Sequence, residues 1–202
     1  MSVTAARGFV ASGIHAGIRR SAPDLAALRS TVPAVGGAMF SRNQVQAAPL
    51  QVNREHVAQA EPQAVVVNSG VANAATGERG KLNALATAAD AGRLRGLPAE
   101  QVLVLSTGVI GVHLPMDKLL PGLKTAMAEL SEEGGSSAAV AIMTTDTHPK
   151  EAVVATSGFT VGGMAKGAGM IHPDLATMLG FVTTDYPLEP GEPLAFLRPA
   201  VD

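Results

Sequence analysis

A layered α+β sandwich is the architecture expected of this chain. Three observations point to it. Short β-branched or apolar runs end in turn residues, stretches with helical spacing lie between them, and one Ser-Gly pair between two apolar runs reads as a hairpin. Hydrophobic residues make up 47% and charged residues 16% of the 202, which suits one large or two small domains and a sizeable core.

Residues 8–50 carry short apolar pieces broken by Gly and Pro, with Ala38-Met39-Phe40 expected as a buried strand. Ala64–Val67 is a β-branched strand that Asn68-Ser69-Gly70 should end. From Gly77 to Leu94 the spacing of Leu82, Leu85, Ala86, Ala89 and Leu94 predicts a helix, stopped by Gly96. Gln101–Leu105 is a second strand, closing in Ser106-Thr107-Gly108. Asp117–Leu130 reads as helix, with Pro121 kinking or restarting it. Glu132–Ser137 reads as a surface loop and Ala138–Met143 as the next helix. Ala152–Thr156 and Phe159–Val161 flank Ser157-Gly158, the hairpin. Met178–Val182 is expected as a buried strand, and the proline-rich end, from Pro187 to Pro199, suggests a chain cut short inside a longer protein.

Composition removes several function classes. Aromatic residues are 3% and Trp is absent, so base stacking is disfavoured. A net charge of −2 without a basic run gives no footprint for nucleic acid. The absence of Cys excludes disulfides and thiol nucleophiles and is compatible with a cytoplasmic protein. No apolar stretch reaches the roughly 18–20 residues of a membrane span, and residues 1–8 lack the apolar core of a signal peptide. The five histidines are scattered without metal-ligand spacing, so no metal site is expected.

The segment Lys166-Gly167-Ala168-Gly169-Met170-Ile171-His172-Pro173-Asp174-Leu175-Ala176-Thr177-Met178-Leu179 carries the sharpest chemical signal. If the Ala176–Thr177 bond is cut, Thr177 gains a free α-amine with an ordinary pKa of about 7.7–8.0, able to act as base for its own hydroxyl. An isolated Ala-Thr pair would read instead as the start of a strand. Ser106-Thr107-Gly108-Val109-Ile110-Gly111 is a strand-to-turn transition that could aim a hydroxyl and backbone N–H groups at one point, as an oxyanion hole does. Ala141-Ile142-Met143-Thr144-Thr145-Asp146-Thr147 clusters hydroxyls with one carboxylate, for an amino-acid substrate or for a turn. Lys166 lies between glycines, where it could approach a carboxylate or sit in solvent; no phosphate-loop pattern accompanies it. In Asn68-Ser69-Gly70-Val71-Ala72-Asn73-Ala74-Ala75-Thr76-Gly77, both asparagines read as turn-stabilising.

These strings, with Phe40-Ser41-Arg42-Asn43-Gln44-Val45-Gln46-Ala47-Ala48-Pro49 and Leu114-Pro115-Met116-Asp117-Lys118-Leu119-Leu120, together resemble the ornithine acetyltransferases of arginine biosynthesis, also called glutamate N-acetyltransferases. The resemblance runs from Arg7 to about Asp185, with Val71 where the family carries Asn and Ala75 where it carries Cys. It implies a self-processing α+β sandwich related to aminopeptidase-type amidohydrolases. It also implies autocleavage between Ala176 and Thr177, so that residues 1–176 form the α segment and 177–202 a truncated start of the β segment. The implied activity moves acetyl from N-acetyl-L-ornithine to L-glutamate through an acetyl-threonine at Thr177. By the same resemblance Thr107 and Gly108 stabilise the oxyanion, and Thr144, Lys166 and Thr177 bind substrate. No cofactor is implied. Some members accept acetyl-CoA as a co-substrate, and the strings do not decide that point. The implied partner is a β chain, in an α2β2 heterotetramer. Two other readings stay open: an amide hydrolase or aminopeptidase on a related fold, and a non-catalytic half that only docks a β partner.

Overall fold

A computed structural model describes residues 2–167 and 178–201. Its first sheet has four strands, β1 (Phe9–Ile14), β2 (Leu25–Ser30), β3 (Ala64–Val71) and β4 (Val102–Val109), hydrogen-bonded in that order. β1–β2 and β2–β3 are antiparallel and β3–β4 is parallel. A parallel joint needs a crossover, supplied by α2 (Gly77–Arg95).

The strand period of two sorts the core into two faces. Leu25, Ala27, Val66 and Val104 meet Val52 of α1 (Ala48–Val57), Ala84, Ala88 and Ala91 of α2, and Leu123 and Met127 of α3 (Met116–Ala128). The alternate residues Ala26, Leu28 and Val67 face the other way. They pack with Ala138 of α4 (Gly135–Ala141), the following Ile142, and Met164 of a second sheet. That sheet is antiparallel: β5 (Lys150–Ala155), β6 (Thr160–Lys166) and β7 (Leu179–Thr184). Leu179 and Phe181 of β7 join the same cluster, so the layers run helices, sheet, then α4 with the second sheet. α1 also blunts the exposed edge of β4. The Asn53 amide donates to the Val104 carbonyl at 2.8 Å and accepts from the Val104 N–H at 2.9 Å, meeting backbone groups that an edge strand would leave unpaired.

The α+β sandwich is therefore present, with local departures. Ala38–Phe40 is irregular and only partly buried, because no strand adjoins it. β3 continues through Asn68-Ser69-Gly70 to Val71, since its parallel partner β4 extends equally far. α2 ends at the left-handed Gly96, as its sequence predicts; Leu85 and Leu94 of the expected face pack against the core, but the fully buried positions are others. Leu82 is 56% exposed, while Gly80, Ala84, Thr87, Ala88 and Ala91 are buried. α3 runs through Pro121 as one helix. α4 begins at Gly135, inside the expected loop, where a Cβ on the preceding Gly134 would stand 1.7 Å from the Ala11 carbonyl oxygen. β7 is a strand as expected, but Val182 is 63% exposed. The end of the described chain is α5 (Glu192–Val201), which has no buried residue.

Candidate active site

The parallel joint brings the C-terminal ends of β3 and β4 side by side, the usual location for ligand sites in parallel sheets. Gly70 stands opposite Gly108 in the register. Both have positive φ, 103° and 135°, and a Cβ on Gly108 would lie 2.3 Å from the Gly70 carbonyl carbon. Only glycine fits at Gly108, on conformational and steric grounds. The chain then turns outward, and Val109, Ile110 and Val112 are 59%, 68% and 47% exposed.

Thr107, one residue before that turn, is buried on the face toward the second sheet. Lys166, the last residue of β6, is 4% exposed, and its ammonium donates to Thr107 Oγ1 at 2.9 Å. A hydroxyl has one hydrogen to give and two lone pairs to receive. With one lone pair engaged by Lys166, the Thr107 hydrogen is left for a further acceptor, and the nearby cation polarises it. Burial pushes the Lys166 pKa below its ordinary 10.5; the Asp146 carboxylate opposes that shift and Lys150 adds to it.

Asp146 ties the remaining segments to this point. Its side chain is almost wholly buried and accepts from Lys150 Nζ at 2.5 Å, the Gly167 N–H at 3.0 Å and, more weakly, the Thr144 N–H at 3.4 Å. Burial alone would raise its pKa. The hydrogen bonds from Lys150, Gly167 and Thr144, with the Lys150 charge, outweigh burial and bring it down to about 2. The Thr144 turn is thereby tied to the residue that follows Lys166.

Of the residues the sequence singles out, Thr107, Gly108 and Lys166 are gathered directly, and Thr144 is joined to them through Asp146. Ala176 and Thr177 lie outside the described residues; the described chain resumes at Met178, and Leu179 pairs with Lys166. Asn68 and Asn73 hold turns: Asn68 donates to the Val71 carbonyl and Asn73 to the Gly80 carbonyl, both at 2.9 Å. Asp146 was visible only as the carboxylate of the Thr144–Thr147 string, and nothing local marks it as a hub. A separate depression of about 700 Å³, between Ile14 and α3, is lined by none of the candidate residues. Among the described residues no group of three or more His, Asp or Glu could hold a metal ion.

The ArgJ family profile matches residues 10–202. The chain belongs to the ArgJ family. It is 54% identical over 191 residues to the arginine biosynthesis bifunctional protein ArgJ of Streptomyces coelicolor, a match covering 94% of this chain and 50% of that one. The ArgJ of Symbiobacterium thermophilum is 48% identical, with 99% of this chain and 52% of that one covered. This chain thus spans about half the length of these ArgJ relatives. Among solved structures, the ornithine acetyltransferase of Mycobacterium tuberculosis complexed with ornithine aligns with a TM-score of 0.82 at 42% identity. That alignment covers 88% of this chain and 96% of the other. The ArgJ of Bacillus halodurans aligns with a TM-score of 0.78 at 43% identity, covering 89% and 95%. These TM-scores show that the chain shares the fold of both. No helix among the described residues is long and apolar enough to cross a membrane.

Proposed function

We propose that this chain is the nucleophile-bearing part of an acetyltransferase that moves acetyl from N-acetyl-L-ornithine to L-glutamate in arginine biosynthesis. The observation that carries the reading is the buried Lys166–Thr107 hydrogen bond beside Gly108 in a member of the ArgJ family. It provides a polarised hydroxyl donor at one strand end, which is what a developing oxyanion needs. That an ArgJ-like ornithine acetyltransferase was crystallised with ornithine supports the substrate class.

In this reading the Thr177 hydroxyl first attacks the Ala176 carbonyl carbon. The C–N bond breaks, which frees the Thr177 amine and leaves an ester, and water then opens that ester to release the Ala176 carboxylate and restore the Thr177 hydroxyl. That amine then takes the hydroxyl proton as Thr177 attacks the acetyl carbonyl of N-acetylornithine. Ornithine departs with a proton on its nitrogen, and the glutamate amine takes the acetyl group from the threonine ester. Thr107 and Gly108 stabilise both tetrahedral oxyanions, while Lys166 and Thr144 hold the amino acid. No cofactor enters the route; acetyl-CoA is a second donor to be tried in place of acetylornithine.

Residues 1–176 are the α segment and 177–202 the start of the β segment. The two would stay together after cleavage, because β7 pairs with β6 from Val161↔Thr184 to Lys166↔Leu179. Thr183 also donates to the Val3 carbonyl at 2.7 Å, and Arg7 bonds Asp185 at 2.9 Å. The outward face of the second sheet supports a β-chain partner. Val154 and Val182 on that face are 62% and 63% exposed.

Intact mass of the purified full-length protein, followed by transfer of labelled acetyl from N-acetylornithine to glutamate, tests the proposal. Two chains, one starting at Thr177, and labelled N-acetylglutamate are expected, and Thr177→Ala should abolish both. Label released only as acetate would replace the transferase by a hydrolase. An uncleaved, inactive protein would leave a non-catalytic docking role.

A further inference from the structure

The loop between β1 and β2 carries an arginine that the proposed chemistry leaves unused. Asp24, fully buried, accepts from the Ala16 N–H at 2.6 Å and the Arg19 N–H at 2.8 Å. The Ser69 N–H donates to the Asp24 carbonyl at 2.8 Å. The loop is thus wrapped around one carboxylate and fastened to β3, which fixes the Arg19 backbone. The Arg19 stem crosses Gly70: a Cβ there would stand 2.7 Å from Arg19 Cγ and 3.6 Å from Cδ. Its Nη1 then donates to the Met143 carbonyl at 3.1 Å, one residue before Thr144. The half-buried side chain spans from the Gly70–Gly108 contact to the Thr144 turn, the two segments that flank the candidate oxyanion donors. No Asp or Glu among the described residues forms an ion pair with it.

We infer that Arg19 is a substrate-binding residue whose guanidinium receives the α-carboxylate of the amino acid. The inference rests on the amino-acid acetyltransferase reading. A guanidinium has five N–H donors in a planar fork suited to carboxylates, and the bond to Met143 engages one of its nitrogens. One site that serves first N-acetylornithine and then glutamate must grip what the two share. Their side chains differ in length and charge. Both carry a carboxylate one carbon from the reacting nitrogen, and a donor fixed beside the oxyanion turn is placed for that group. The backbone carbonyl of Met143 holds the fork in orientation without neutralising it.

Calorimetric binding of ornithine and of ornithinamide, which lacks the carboxylate, to the processed full-length protein tests this directly. The unsubstituted protein should prefer ornithine by about tenfold to a hundredfold, the range for hydrogen bonds to charged groups. Arg19→Gln should bring that ratio close to one, and Arg19→Lys should restore part of it. In transfer assays Arg19→Gln should raise KM for both substrates more than it lowers kcat. A ratio that survives in Arg19→Gln, or that is absent from the unsubstituted protein, overturns the role of Arg19. Acetyl transfer seen alongside either result would leave the transferase reading intact. A merely structural arginine would not change discrimination between carboxylate and carboxamide.

Discussion

The Thr107 hydroxyl accepts from the Lys166 ammonium, which leaves its own hydrogen for a further acceptor. Removing that hydroxyl should therefore cost more than removing its methyl group. Thr107→Val is expected to lower kcat for acetyl transfer by about 10²–10³-fold, the loss typical of one oxyanion donor, whereas Thr107→Ser keeps most of it. Steady-state assays of both variants check this. Asp146 makes a pH prediction. Its pKa falls from 3.8 to about 2 on folding, so its contribution is present above pH 4 and is lost as pH drops through about 2. The shift corresponds to about 2 kcal/mol. The stability gap between the unsubstituted protein and Asp146→Asn, followed by urea unfolding, should close between about pH 4 and pH 2. Lys166 works in the opposite sense: lowered by burial, it weakens the fold while charged, and that penalty fades as pH rises toward 10.5.

Secondary-structure elements were legible where local chemistry decides them. The Gly96 stop is fixed by a left-handed backbone that few residues adopt, and the Ser157-Gly158 turn by the Thr156 hydroxyl, which accepts from the Gly158 and Phe159 N–H groups; both stand where the sequence puts them. The inward face of α2 was partly legible: Leu85 and Leu94 pack against the core, but its fully buried positions are small residues, Ala84, Ala88 and Ala91 among them, that carry little hydrophobic signal. The extension of β3 through Asn68-Ser69-Gly70 also escaped. Those residues favour turns alone, and pairing with β4, with β2 adding Leu25 opposite Asn68, carries the strand through them. Two substitutions test these balances. Gly108→Ala should destabilise the protein by about 3 kcal/mol or more, through positive φ and contact with Gly70. Pro121→Ala, at an exposed position inside α3, should stabilise it by about 1–2 kcal/mol: the helix penalty of proline is removed, less the entropy returned to the unfolded chain. Urea midpoints at constant m-value report both.

At the level of the whole molecule, the α+β class and the family followed from strings distributed along the chain. The assembly of the site did not. Thr107, Thr144 and Lys166 are far apart in sequence, and the carboxylate that connects two of their segments belongs to a string that alone reads as a turn. The outward face of β5–β7 bears the exposed Val154 and Val182. Expressed alone, residues 1–202 should self-associate in sedimentation velocity. Val154→Lys with Val182→Lys should return the chain toward monomer without altering its circular dichroism.

The Lys166–Thr107 bond joins strands of different sheets, β6 and β4. It therefore acts as a spacer gauge between two layers as well as a chemical contact. Sheets slide and tilt as units, so a core substitution at Met164 or Leu28, which touch no candidate site residue in any hydrogen bond, would change the seam that sets this gauge. On the acetyltransferase reading, catalytic competence would then be a readout of interlayer packing. Directed evolution for activity would be expected to select compensating volume changes deep in the seam as readily as changes around Thr107.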